Sequence, residues 1–262
     1  MKVGILYICT GKYSIFWDSF YKSAEQFFLT DSEKHYFVFT DVVEIPEDKN
    51  ITIIKAAPKG FPLDSLLRFE MFLSIKEQLE QMDYLFFLNS NMKFVATVTH
   101  EVIPSDLNSG LMATFHPGYY NKEKFTLPYE RSKKSKAYIN YKSDTAYFYY
   151  MGGFNGGKTK DYLKLTKVCH DNVQTDIRNG AMAIYHDESH LNHYLSGKSI
   201  LQLSPAYGFP EGATLPFEPK IVILNKMKHG GKYFDKLPQK SYGLRIYLKI
   251  KRMYAAFIWR YQ

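Results

Sequence analysis

Apolar positions change their period along the chain. Val3 to Ile8 is a short apolar run, followed by the turn Thr10-Gly11-Lys12 and then by Ile15, Phe16, Phe20, Ala24 and Phe27 at helical spacing. That order predicts strand, turn and helix. Tyr36 to Phe39 and Ile51 to Ile54 read as strands, separated by the loop Glu44 to Lys49 with its proline and acids. Residues 64–82 place Leu67, Met71, Ile75 and Leu79 on one face, which predicts a helix capped by Asp64 or Ser65. It runs into Tyr84 to Leu88, an apolar stretch too short for a helix and suited to a buried parallel strand. Beyond about residue 110 the pattern is less regular: glycines and aromatics cluster in 116–157, a helix is predicted over 158–178 and another from about Asp187. Such alternation predicts an α/β fold with a mostly parallel sheet flanked by helices. With no repeat and no long linker, residues 1–240 read as one domain and 241–262 as a terminal helix.

The chain has 262 residues, 45% of them hydrophobic and 17% aromatic, which excludes disorder and supplies a large core. No stretch is long and apolar enough to span a bilayer, and the N-terminal apolar run is too short for a signal peptide, so neither is expected. The two cysteines, Cys9 and Cys169, are too few for a disulfide framework or a thiolate metal site. A cytoplasmic location with both thiols buried is expected. Of the net charge of +8, seven units lie in the last 27 residues, where there is no acid after Asp235. The nearly neutral remainder argues against a nucleic-acid partner.

Open parallel sheets bind ligands beyond the carboxyl ends of their strands. Two polar groups stand there, Thr10-Gly11-Lys12 and Asn89-Ser90-Asn91. By local sequence alone the second reads equally as a turn bonded to its own backbone.

Longer motifs add to this. His116-Pro117-Gly118-Tyr119-Tyr120, Tyr129-Glu130-Arg131, Ala137-Tyr138-Ile139, Tyr149-Tyr150-Met151-Gly152-Gly153-Phe154-Asn155-Gly156-Gly157 and His186-Asp187-Glu188-Ser189-His190-Leu191-Asn192 occur in this order. In these segments the chain resembles glycosyltransferase family 6, the family of the blood-group A and B transferases, from about residue 3 to about residue 228. The resemblance implies a GT-A fold, a UDP-sugar donor, and transfer of galactose or N-acetylgalactosamine with retention onto the 3-hydroxyl of an acceptor galactose.

Animal members carry Asp-x-Asp where this chain has Asn89-Ser90-Asn91, and they carry an anchor and stem that this chain is expected to lack; both features resemble the bacterial branch. Two asparagines offer only neutral carbonyl ligands, so no divalent cation and no other cofactor is expected. Neutralising the leaving UDP then falls to Arg68, which aligns with a family arginine near the donor, and to Lys226 or a neighbouring lysine. Locally, Arg68 reads also as a surface arginine paired with Glu70 or a neighbouring acid.

The resemblance assigns the remaining roles. Glu188 is the catalytic carboxylate beneath the anomeric carbon, kept ionised by the free amides of its helix start. Asp187 and His186 serve the donor, and Ile8, Thr10 and Tyr13 line the uridine pocket. His116 and, more weakly, Thr126 contact the acceptor, and Tyr185 stands where the family commonly has Trp. In Met151-Gly152-Gly153, the missing side chain of Gly153 favours UDP-N-acetylgalactosamine, while Met151 is typical of the galactose-transferring B enzyme. The expected product is a blood-group-A-like epitope on a fucosylated galactoside, with UDP-galactose as the alternative donor. A non-catalytic sugar- or nucleotide-binding protein on the same scaffold is the reading of another class.

Residues 241–262 lie beyond the resemblance. Five basic residues, no acids and a wide apolar face suit an interfacial helix on an anionic membrane, holding the enzyme near lipid-linked acceptors at the inner face. A helix docked on the catalytic domain is the other reading. On the membrane reading, removing the tail leaves transfer to a soluble acceptor intact.

Overall fold

The computed structural model describes residues 1–42, 45–46, 48–142, 148–230, 234, 250, 253–254 and 257–259. The first strand, β1 (Lys2–Ile8), leads through a 3-10 turn (Gly11–Phe16) into helix α1 (Trp17–Phe27). Strands β2 (Glu33–Thr40), β3 (Ile51–Lys55) and β4 (Tyr84–Asn89) follow, with short helices α2 (Leu63–Leu66), α3 (Arg68–Leu73) and α4 (Lys76–Leu79) between the last two. After β5 (Met92–Phe94) come β6 (Leu111–Phe115), β7 (Tyr150–Lys158), α5 (Thr159–Arg178), α6 (His186–Leu195), β8 (Leu201–Leu203), β9 (Phe209–Pro210), β10 (Ile221–Ile223) and α7 (Lys226–His229).

Among the described residues the main sheet has seven strands in the order β3-β2-β1-β4-β7-β6-β8. Strands β3, β2, β1 and β4 run parallel, and β7 is antiparallel to both β4 and β6. Both sheet faces are buried. Val3, Ile5, Tyr7 and Cys9 of the first strand segment join α1 in one core cluster, and Leu6 joins α3, α5 and α6 in the other. That two-sided burial explains the unbroken apolar runs. Cys9 and Cys169 are free and buried, as expected, and burial pushes the Cys9 thiol up to about 12.

Two sequence expectations are corrected. The single helix over 64–82 is three short helices, broken at Leu67 and at Ser74-Ile75. Its buried residues include Leu66, Phe69, Phe72 and Ile75, a spacing of three that drifts off one face of a 3.6-residue helix unless the helix is interrupted. Neither Asp64 nor Ser65 caps it; the Asp64 carboxylate accepts the Lys59 N–H instead.

The glycine-rich stretch 152–157 is the interior of β7, not an irregular region. A Cβ at Gly156 would collide with the Leu85 carbonyl oxygen, and one at Gly157 with that of Gly110. These glycines let neighbouring backbone come close, which hides the strand from a propensity reading.

Most of 241–262 lies outside the described residues. Ile250, Met253, Tyr254 and 257–259 are helical there, and Trp259 is buried against the domain.

Candidate active site

The register of the sheet assembles the site. Ile8 at the end of β1 pairs with Asn89 at the end of β4, and Leu88 pairs with Phe154 of β7, so Gly153 comes beside Asn89. A cavity of about 820 Å³ opens at this edge, lined by Ile8, Thr10, Tyr13, Arg68, Asn89, Asn91 and Lys226 among others. Seven sequence-predicted donor residues thus share one wall system. The Lys226 ammonium lies 3.1 Å from the Tyr13 hydroxyl and 4.6 Å from the centre of its ring. Asn91 donates through Nδ2 to the Leu224 carbonyl at 2.7 Å, tying the segment before α7 to the end of β4.

Arg68 is buried at the start of α3. Its Nη2 meets the Asp187 carboxylate at 2.7 Å, its Nη1 donates to the Gly152 carbonyl at 2.8 Å, and its Nε donates to the Ser65 carbonyl at 3.3 Å. Glu70, the neighbouring acid of the local reading, faces Gln174 instead. Arg68 therefore clamps α3, β7 and α6 together at the cavity wall, with its guanidinium over the Phe87 ring.

Glu188 lies in the first turn of α6. Its Oε1 accepts the Tyr149 hydroxyl at 2.7 Å and its Oε2 accepts the Gly152 N–H at 2.6 Å. The donors that hold the carboxylate come from Tyr149 and β7 rather than from the amides of its own helix. Burial nevertheless raises its pKa, and it pushes Asp187 up to about 6 against the opposing pull of Arg68. A Cβ added at Gly152 would lie 3.1 Å from an Asp187 oxygen and 3.4 Å from Glu188 Cβ, so the strand passes directly against both acids.

On the far side of Glu188 stands an aromatic wall. The Tyr149 ring lies 5.9 Å from His116, 5.4 Å from Tyr119 and 6.5 Å from Tyr185. His116 accepts the Gly118 N–H on Nδ1, and burial lowers its pKa to about 4. It is neutral at pH 7 with its proton on Nε2, which leaves a donor for a sugar hydroxyl. His186 begins α6 at a left-handed φ of 52° and meets the edge of Phe61, a rim residue of the cavity, at 5.1 Å.

Thr126 joins this group through no contact among the described residues, and its hydroxyl donates to the Glu123 carbonyl within its own turn. Two supporting residues escaped the sequence reading. Tyr149 was visible only as part of a motif. Asn192, four residues after Glu188, bonds the Glu188 carbonyl and both backbone groups of Tyr150, and so fixes α6 to β7. Its i+4 spacing from the catalytic candidate was the available signal.

A cavity at the carboxyl edge of the sheet is thus joined through Arg68 and Asp187 to the supported Glu188 carboxylate and its aromatic neighbours, the place where such sheets bind ligands. Comparison with known proteins agrees. The profile of glycosyltransferase family 6 matches residues 1–231. The O-antigen biosynthesis glycosyltransferase WbnI of Escherichia coli is 36% identical over 228 residues, covering 86% of this chain and 95% of that protein. The histo-blood group ABO system transferase 1 of Rattus norvegicus is 36% identical over 215 residues, covering 78% of this chain and 60% of that protein. The globoside alpha-1,3-N-acetylgalactosaminyltransferase 1 of Gallus gallus is 32% identical over 234 residues, covering 86% and 66%. The chain thus spans roughly three-fifths to two-thirds of these two animal relatives. The chain belongs to glycosyltransferase family 6 and has its GT-A-like α/β fold. It is a glycosyltransferase, and the reading as a non-catalytic binding protein falls.

Asn89 and Asn91 are neutral, and among the described residues no group of three or more His, Cys, Asp or Glu is placed to hold a metal ion. This donor chemistry does not fit a tight Mn²⁺ site.

Proposed function

We propose that the protein transfers N-acetylgalactosamine from UDP-N-acetylgalactosamine, with retention of configuration, to the 3-hydroxyl of a β-galactoside, without a divalent cation. The observation that carries this reading is the Glu188 carboxylate, held by the Tyr149 hydroxyl and the Gly152 N–H. A donor whose uridine lies against Ile8, Thr10 and Tyr13 extends its diphosphate past Lys226 and its sugar toward Gly152, Asp187 and Glu188. As the bond to UDP breaks, positive charge grows on the anomeric carbon, and the Glu188 carboxylate stabilises it. The acceptor galactose packs on the wall of His116, Tyr149 and Tyr185.

The name of the globoside alpha-1,3-N-acetylgalactosaminyltransferase relative, together with Gly153, supports the N-acetylated donor. One observation favours UDP-galactose. A Cβ at Gly153 would lie 2.6 Å from Met151 Cε, and one at Gly208 would run into Met151 Sδ, so the methionine already fills the space over both glycines. The acceptor we place on a fucosylated, lipid-linked glycan at the inner membrane face, reached by an enzyme attached through its C-terminal tail. Incubation with each UDP-sugar, with and without a fucosylated galactoside and in excess EDTA, tests the reading. An α-linked N-acetylgalactosaminyl product is expected. A β-linked product, or preference for UDP-galactose, would displace it.

A further inference from the structure

Trp259 is 1% exposed, its Nε1–H donates to the Ile139 carbonyl at 2.7 Å, and its ring stands edge-on to Tyr141 at 4.8 Å with the Arg131 guanidinium over it at 5.1 Å. Trp259 therefore fastens the tail to the catalytic domain. On the same tail Ile250, Met253 and Tyr254 are 60%, 64% and 67% exposed. They are large apolar side chains kept in water beside a docked tryptophan.

Ile139 also closes a loop. Its N–H donates to the Glu130 carbonyl, and the Asp176 carboxylate holds the loop through the Ser135 hydroxyl and the Lys136 N–H. Lys133, Lys134 and Lys136 are exposed at its tip, and none pairs with a carboxylate among the described residues. One residue thus joins a lysine tip to an apolar tail. The tail sequence adds Lys249, Lys251, Arg252 and Arg260 and no acid. This junction lies on the acceptor side of the site: Trp259 is 6.0 Å from Tyr129, Tyr129 is 5.7 Å from Tyr149, and Tyr149 holds Glu188.

We infer that the loop 131–138 and the tail form one membrane-docking face, the lysines meeting anionic headgroups while Ile250, Met253 and Tyr254 enter the interface, so that the acceptor side of the site faces the bilayer. This rests on the proposed attachment through the tail and adds a second contact and an orientation. Nucleic acid offers nothing for the apolar side chains, whereas an anionic bilayer satisfies both chemistries.

Sedimentation of the full chain with phosphatidylcholine vesicles, with and without phosphatidylglycerol, tests the face alongside transfer to a soluble acceptor. Binding is expected only with phosphatidylglycerol and at low salt. Lys133→Gln/Lys134→Gln/Lys136→Gln should weaken it on the order of a hundredfold, with soluble transfer unchanged. Met253→Asp/Tyr254→Asp, at exposed positions, should weaken it as well, and Lys133→Gln/Lys134→Gln serves should the triple lysine variant fail to fold. Wild-type binding by the lysine variant, with loss in the tail variant, overturns the composite face but keeps tail attachment. Failure of the unmodified protein to bind overturns both, as when the face meets an acidic protein instead.

Discussion

A carboxylate that stabilises a developing oxocarbenium ion works only while ionised, and Glu188 is half-buried beside a second, buried acid. Its two supporting donors favour the charged form while burial opposes it. Removing the Tyr149 hydroxyl removes one of those donors, so the carboxyl pKa rises further. Activity that needs both acids ionised should fall below about pH 6, the value to which burial brings Asp187, as a limb shared by the pair. Tyr149→Phe should move that limb to higher pH, read from kcat/KM against pH. An unmoved limb would detach Tyr149 from the carboxylate. Glu188→Gln should fold like the parent and lose transfer by about a thousandfold or more, in line with losses on removing transition-state charge stabilisation. Gly153→Ala has to push aside the Met151 methyl and the Asn89 amide, 2.6 and 2.8 Å from the new Cβ. Both are flexible ends, so the fold should survive and the donor pocket should narrow. The expected outcome is a shift of the kcat/KM ratio toward UDP-galactose by about tenfold, within the range of one methyl-sized change in a pocket.

Elements show where sequence reading succeeds. Strands β1 and β4 were legible because burial on both faces leaves an unbroken apolar run, and α5 because twenty residues give a period time to declare itself. The segment 64–82 was misread as one helix because its buried positions recur every three residues, and the partner of its Arg68, Asp187, lies more than a hundred residues away. Strand β7 was hidden by its glycines. Of the site, Glu188, Asp187 and the residues of the cavity were legible through motifs, whereas Tyr149 and Asn192 act on partners that only folding supplies. Of the two sequence readings of the tail, the docked one holds at Trp259, while Ile250, Met253 and Tyr254 are exposed. Its removal is then no longer neutral for the acceptor side. Trp259→Ala empties a box formed with Leu127, Tyr129, Ile139 and Tyr149 and should cost about 3 kcal/mol, measured by urea denaturation. Unchanged stability would show that the ring is not seated there.

For the whole molecule, the question is what neutralises the diphosphate as UDP departs. At this point of the cavity the chain offers the neutral side chains of Asn89 and Asn91. Among the cations lining the cavity, Arg68 is taken up by Asp187 and by the carbonyls of Gly152 and Ser65, so its charge is largely spent inside the protein. Lys226 is placed differently. It stands half-buried at the start of α7, with one hydrogen bond to the Tyr13 hydroxyl, and an ammonium retains further N–H donors for phosphate oxygens. The tie from Asn91 to the Leu224 carbonyl links the segment before α7 to the end of β4, so on the proposed metal-free reading Asn91 helps to place the charge that meets the diphosphate. Lys226→Gln should therefore lower kcat by about a hundredfold, with Lys226→Arg recovering part of it because the charge returns in another geometry. Parent activity should persist in excess EDTA, and Mn²⁺ should not rescue Lys226→Gln, since the neutral asparagines still lack anionic ligands. Loss of parent activity in EDTA with restoration by Mn²⁺ would return the diphosphate to a metal ion and leave Lys226 a packing partner of Tyr13.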